Sequence, residues 1–202
     1  AYIDNADNGV TSTFGDIQLT ATEKATISAT SVAAAFSAGL VGLAGAGADS
    51  INSIGNTTKT YIGNSQVQAQ GSLGLTAIDD SKIDAFAGAI SAAVTGSTGA
   101  SLATNNISNQ IIAEIANSTS TAVTGSIDLK ADAKSTIQAI AAGGVGAGTF
   151  AIGGAVTVNN ISNTIKAGIT GVSTTTAQGN VNATATNKAT IASLAGQIAG
   201  AG

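Results

Sequence analysis

The sequence GSIDLKADAKSTI at residues 125–137 decides the fold, because it recurs along the chain with almost no gaps. The other copies are GDIQLTATEKATI at 15–27, GSLGLTAIDDSKI at 71–83 and GNVNATATNKATI at 179–191. Their first glycines are Gly15, Gly71, Gly125 and Gly179, so the spacing between copies is nearly constant. Self-similarity at a fixed period is typical of repeat architectures, in which each unit packs against its neighbours.

Each copy alternates apolar and polar residues, which is the pattern of a strand with one buried face. In the third copy Ile127, Leu129 and Ala131 are separated by polar residues, and the other copies keep the same apolar positions. A polar step follows at Lys134 and precedes a further strand that opens at Ile137. The sequence therefore predicts an all-β protein.

The second part of each block carries an Asn-x-Ile-x-Asn signature that also alternates. Its asparagines are Asn52, Asn105 and Asn159 at the first position, and Asn56, Asn109 and Asn163 at the second. Equivalent asparagines on stacked strands can form hydrogen-bonded ladders and can satisfy the backbone of turns. We therefore expect a structural role for these six side chains.

The blocks predict one continuous parallel β-solenoid. Residues 1–14 resemble the tail of a preceding repeat, 15–70, 71–124 and 125–178 form three repeats, and 179–202 open a fourth. A weaker half-repeat relates TIQAIAAG at Thr136 to TIKAGITG at Thr164, about half a block further along. It predicts two coils of about 27 residues in each block of about 54 residues. We interpret the chain as a window on a longer array.

Each block also holds a long uncharged run of small residues, beginning at Ser31, Ala85 and Ala139. About 20 apolar residues would suffice for a membrane helix, but these runs are rich in Gly and lack basic or aromatic flanks. They favour strands with small residues on both faces, buried inside a wide solenoid or against a neighbouring molecule. Gly144, Gly146 and Gly148 are the candidates for such lateral packing.

The composition excludes most kinds of metal site, catalytic site and nucleic-acid-binding site. The chain has no His or Cys, so it lacks the usual ligands of zinc, copper or haem, and it has no thiol nucleophile or imidazole base. Its seven basic residues are all Lys and its net charge is −4, which argues against binding to nucleic acid. No phosphate-binding glycine motif occurs, so we expect no cofactor and no metal. A signal peptide is absent or already removed.

Two further site hypotheses remain weaker than a structural role. An acidic cluster of Asp79, Asp80 and Asp84 resembles the paired carboxylates of β-helical polysaccharide hydrolases. The equivalent positions in the other blocks are not consistently acidic, and polarity is the only property that they share. Threonines such as Thr20 and Thr184 alternate as in ice-binding solenoids, yet Thr is also simply a good strand residue. We therefore predict no catalytic residues.

The succession of GSIDLKADAKSTI, a Gly/Ala-rich run, AVTVNNISNTIKAGI and a renewed GNVNATA resembles the tandem repeats of large bacterial surface proteins. These are the leukotoxin-like filamentous adhesins and autotransporter passengers. The resemblance covers essentially the whole chain and implies a β-solenoid stalk or filament that is exported to the cell exterior. It brings no catalytic residues with it.

The expected function is therefore structural: a self-associating rod or filament segment of an exported cell-surface protein, as in an adhesin stalk, fibre or sheath. It is not an enzyme and does not cross a membrane. The alternative is a solenoid that binds ice, glycan or a host surface through a flat Thr/Asn-rich face. A polysaccharide-degrading enzyme is a distant alternative. Outward positions such as Thr76, Lys130 and Thr184 differ between blocks, which favours the structural role.

Overall fold

The computed structural model describes residues 1–202 and contains sixteen β-strands and no helix. The predicted parallel β-solenoid is confirmed, because every strand pairs in parallel with the equivalent strand of a neighbouring coil. The strands are β1 (Tyr2–Asp4), β2 (Val10–Ser12), β3 (Ile17–Glu23), β4 (Thr26–Ser37), β5 (Leu43–Ile54), β6 (Thr57–Gly63), β7 (Gln66–Ala69), β8 (Leu73–Ala93), β9 (Gly96–Ile107), β10 (Gln110–Ala116), β11 (Thr119–Ala122), β12 (Ile127–Ala147), β13 (Phe150–Ile161), β14 (Thr164–Thr170), β15 (Thr174–Ala177) and β16 (Val181–Ala201).

Four sheets run along the solenoid axis, one for each wall of the coil. Their orders are β3-β8-β12-β16 with β4 also on β8, β5-β9-β13, β1-β6-β10-β14 and β2-β7-β11-β15. One complete coil therefore consists of a 21-residue strand, a 12-residue strand, a 7-residue strand and a 4-residue strand. The same succession repeats at each turn of the solenoid.

The expectation of two coils per block is wrong, because each block forms a single coil. Asn105 pairs directly with Asn159, so one step between neighbouring strands corresponds to a whole block. The half-repeat has a physical explanation: the segments at Thr136 and Thr164 lie on different walls of the same coil, in β12 and β14. They are similar because both walls place Ile and Ala toward the core, as Ile137 and Ile165 do.

The coil is long and flat in cross-section. A 21-residue strand extends about 70 Å at about 3.3 Å per residue, while the 12- and 7-residue strands together extend about 63 Å. These two shorter strands run back against the long strand, and the 4-residue strand closes one end. The other end is a tight turn, formed in the third coil by Gly148 and Thr149.

The core changes in character along this cross-section. At the end closed by the 4-residue strand, which we call the head, the largest buried cluster contains Leu75, Ile111, Ile115 and Leu129. The opposite end contains only two facing walls with small inward side chains, such as Ala87, Ala103 and Ala141. We call this end the fin and define it as residues 30–51, 86–104, 140–158 and 194–202. It is a thin two-layer sandwich about 27 Å deep, since each long strand contributes about eight residues to it.

Small inward residues let the two walls of the fin approach closely. Ser91 Oγ lies 2.6 Å from Ser97 Oγ and donates to the Thr98 carbonyl oxygen at 2.6 Å, so it bridges the walls near the tip. A Cβ on Gly99 would lie 2.6 Å from Val145 Cγ1, so the missing side chain leaves room for Val145 between the walls. The small-residue runs are therefore strands, and the structure contains no helix long and apolar enough to span a membrane.

The corner between the 7- and 4-residue strands requires left-handed backbone. Asn5, Asn64, Asn117 and Gly171 occupy equivalent positions there, with φ between 47° and 68°. Asparagine and glycine adopt this conformation more easily than other residues. Length differences between blocks are also absorbed at turns: residues 38–42 form the fin tip of the first coil, where the second coil uses only residues 94–95.

Candidate functional site

The asparagines of the signature lie inside the solenoid and form two ladders. In the first, Asn52 Nδ2 donates to Asn105 Oδ1 and Asn105 Nδ2 donates to Asn159 Oδ1, both at 2.8 Å. Inward alternation on β5, β9 and β13 places these three side chains in one row at the junction of fin and head. The central amide, that of Asn105, thus accepts from one coil and donates to the next, so the row links three coils.

The second ladder joins the backbone of one coil to the side chain of the next. Asn109 Oδ1 accepts from the Asn56 backbone amide at 2.9 Å, and Asn163 Oδ1 accepts from the Asn109 amide at 3.1 Å. The side-chain amides also reach the opposite wall, where Asn109 Nδ2 donates to Asp79 Oδ1 at 2.8 Å and Asn163 Nδ2 donates to Ser135 Oγ at 2.8 Å. This ladder therefore connects coils along the axis and walls across it.

The three aspartates considered for catalysis do not share a face. Strand alternation points Asp79 into the core, where it is fully buried, whereas Asp80 and Asp84 point outward. Asp80 lies 3.6 Å from Lys134 Nζ and Asp84 lies 2.7 Å from Lys82 Nζ, so each outward carboxylate has an ion-pair partner. An acid and a base that flank one glycosidic bond must face the same cleft, so Asp79 cannot pair with Asp80 or Asp84 in this way.

Asp79 is the one fully buried carboxyl group of the chain. Desolvation raises its pKa above the ordinary value, and the nearby charges of Glu23 and Asp80 act in the same direction. Hydrogen bonds from Ser81 and Asn109 oppose this rise in the pKa but do not cancel it. Its Oδ2 atom has no hydrogen-bond partner.

The lateral-packing candidates occupy two different environments. Gly144 and Gly146 lie on the outer face of β12 in the fin, and a Cβ at either position would meet no atom within 4 Å. Gly148 lies in the tip turn, where a Cβ would collide with the Val94 carbonyl oxygen. Two of the three glycines are therefore on an open flat surface, and the third is part of the turn.

Both outer faces of the fin also carry large apolar side chains, which the sequence analysis did not identify. Ile90 and Ile140 are 50% and 42% exposed although their strands are paired on both sides, and Ile152 on the opposite face is 65% exposed. Extending the alternation from Leu129 through the Gly/Ala runs would have predicted these outward positions. The fin contains only one charged residue, Asp49.

Comparison with protein-family models, with curated proteins and with solved structures gives no match for this chain. The resemblance to the repeats of filamentous adhesins therefore rests on the sequence motifs alone. Any functional argument has to come from the geometry of the solenoid and its surfaces.

We predict that Asn105→Ala destabilises the solenoid by about 2 kcal/mol, because it leaves buried amide groups of the ladder without partners. Asn105 is 1% exposed, whereas its neighbour Asn106 is on the outer face. Asn106→Ala is the matched control and should change the free energy of unfolding by less than about 0.5 kcal/mol. Urea denaturation followed by circular dichroism measures both values, and equal losses would contradict the assigned roles.

We also predict that Asp79 makes stability depend on pH. Because its pKa is raised in the folded state, its contribution is fully present below the unfolded pKa of about 3.9 and is lost as pH rises through the folded value. Asp79→Asn should flatten this decline in the free energy of unfolding above about pH 4. Asp84→Asn, on the outer face of the same strand and not among the charges that raise the pKa of Asp79, should retain the wild-type slope; a slope unchanged by Asp79→Asn would contradict the prediction.

Proposed function

We propose that this chain is a structural segment of a large exported surface protein, in which the coils build a fibre or sheath. We call these coils blade-shaped, because each is long and flat in cross-section. The observation that carries the proposal is the use of a whole repeat block for one coil. Each coil advances by only one strand spacing, about 4.8 Å. The four coil layers of this chain therefore extend only about 19 Å along the axis.

This geometry produces wide walls but little length along the solenoid axis. A coil that needs a whole block for each strand spacing is an inefficient way to hold a distant tip away from a cell. It does create walls about 70 Å wide that are continuous along the stack. Broad, regular walls suit lateral assembly into a fibre or sheath, so we favour that role over a simple stalk.

The distribution of charge supports the same function. All charged residues except Asp49 lie outside the fin, so the head presents a hydrated surface and the fin an apolar one. A repeat that places one apolar edge at the same position in every coil produces a continuous apolar strip along the array. Strips of this kind are typical of surfaces that associate with other molecules.

The alternative of a flat Thr/Asn-rich binding face has less support. On the outer face of β3, β8, β12 and β16, the row that contains Thr76 and Thr184 is interrupted by Lys130, which lies 3.6 Å from Asp132. The 4-residue strands carry outward Thr119 and Thr121, but such a short strand offers only two rows of side chains. Binding of ice or glycan by a regular hydroxyl array therefore has little surface to use.

Immunogold electron microscopy tests the proposal on cells that produce the parent protein. Antibodies raised against this chain should label extended material outside intact cells, and pre-absorption with the purified chain should abolish the label. An antibody against a cytoplasmic protein serves as the control for cell integrity. Label that appears only after permeabilisation would contradict an exported structural role.

A further inference from the structure

We propose that one face of the fin binds the same face of a second copy of this chain, with the two solenoid axes parallel. The face in question, called here the long face, is the outer surface of β4, β8, β12 and β16 within the fin. This inference rests on the proposed structural function and adds the surface, the partner and the relative orientation.

The long face consists of four rows of outward side chains that run along the solenoid axis. From the junction with the head to the tip, the rows are Thr30, Phe86, Ile140 and Leu194; then Val32, Gly88, Ala142 and Gly196; then Ala34, Ile90, Gly144 and Ile198; then Phe36, Ala92, Gly146 and Gly200. In the second to fourth coils the side chains of the first row are large and those of the second row are small. The surface therefore has a ridge beside a groove.

This pattern is complementary to itself under one kind of two-fold rotation. An axis parallel to the solenoid and midway between the second and third rows exchanges the first row with the fourth and the second with the third. In the second coil Phe86 then faces Ala92, in the third Ile140 faces Gly146, and in the fourth Leu194 faces Gly200.

The inner two rows fit in the same way in the fourth coil. Ile198 faces Gly196, whereas Ile90 faces Gly88, over which the Phe86 ring of the same chain already lies, since a Cβ there would be 2.9 Å from Phe86 Cε1. Four large side chains therefore each meet an open glycine or alanine. Interfaces formed by one patch with itself need this self-complementarity. Two places depart from it: in the first coil Thr30 faces Phe36, and in the inner rows of the third coil Ala142 faces Gly144, small against small.

The opposite orientation of the two solenoids fits poorly. A two-fold axis perpendicular to the solenoid within the face would place each row against itself. The ridge that contains Phe86 and Ile140 would then collide with its own copy, while the groove of Gly88 and Ala142 would face an empty groove. Large against large and small against small packs badly, because interiors and interface cores are close-packed.

Charge distinguishes the long face from the other face of the fin. The long face carries no charged residue, whereas the outer face of β5, β9 and β13 carries exposed Asp49. Burial of a carboxylate without a partner is strongly unfavourable. The long face is therefore the one that can be covered completely.

The size of the long face predicts how the association depends on length. Four rows span about 27 Å, so each coil contributes about 130 Å² per copy at a strand spacing of about 4.8 Å. Four coils supply about 500 Å² per copy, compared with about 800 Å² in a standard interface. This chain should therefore dimerise weakly, and arrays of about six or more coils should associate stably.

Sedimentation equilibrium of the full chain at micromolar to millimolar concentration tests the assigned face. Gly144→Lys places a charge on the long face, and Gly154→Lys places the same charge on the opposite face of the same coil. A Cβ at either position meets no atom within 4 Å, so both variants should keep the β signal in circular dichroism. We expect Gly144→Lys to lower the association constant at least about tenfold and Gly154→Lys to leave it within about twofold.

Cross-linking tests the orientation, and the absence of native cysteine makes engineered thiols unambiguous. The parallel two-fold places residue 142 of one copy opposite residue 144 of the other. A mixture of Ala142→Cys and Gly144→Cys chains should therefore yield more dimer with a short bifunctional thiol reagent than either variant alone. If each variant alone yielded more cross-linked dimer than the mixture, the parallel arrangement would be overturned.

The remaining outcomes separate this inference from the proposed function. Association that survives Gly144→Lys but not Gly154→Lys would overturn the choice of face, and a chain that stays monomeric throughout would overturn the pairing. So would binding to phospholipid vesicles without any self-association, because the fin would then contact lipid. None of these results alters the location of the parent protein, which the antibody experiment decides independently.

Discussion

In-register stacking of parallel strands is the constraint on which the whole structure depends. Each strand residue of a coil lies directly beside the equivalent residue one repeat away in the hydrogen-bonded sheet, as Leu129 does with Leu75 and Ala183. Equivalent side chains therefore become direct neighbours, and any property repeated in the sequence becomes a continuous row in space. The buried asparagine ladders follow from this arrangement, because stacked amides can each donate to the next.

The same constraint converts side-chain size into the shape of the blade. Where the repeat places Leu and Ile inward, as at Leu129 and Ile111, the walls stand apart and enclose the head. Where it places Ala, Ser and Gly inward, as at Ala87 and Gly99, the walls come together in the fin. Because the fin core is so thin, Val145 is the one large apolar side chain buried within it, in the space that Gly99 leaves free. Ile90 and Ile140 therefore lie outside, where only another molecule can cover them.

The alternation of residues was sufficient to predict the parallel solenoid, the inward row of Ile127 and Leu129, and the stacking of equivalent asparagines.

The number of coils per block was not predictable in this way, because alternation identifies the face of a strand but not the wall to which it belongs. Thr136 and Thr164 illustrate this ambiguity. The aspartates near Asp79 were grouped by sequence distance, although alternation itself separates Asp79 from Asp80. Gly144 and Gly146 on the exposed face of the fin were identified as lateral-packing candidates, but the exposed Ile90 and Ile140 on the same face were not, although the alternation that begins at Leu129 places them outward.

The distance between equivalent residues of successive blocks tests the account most directly. Asn106 and Asn160 face outward and are directly paired, so cysteine substitution and nitroxide labelling of both should disturb the core little. One coil per block predicts backbone positions about 5 Å apart, which gives strong spin exchange in the electron paramagnetic resonance spectrum of the doubly labelled chain. A separation of about 10 Å, with dipolar broadening but no exchange, would place a further coil between them and contradict the blade-shaped fold.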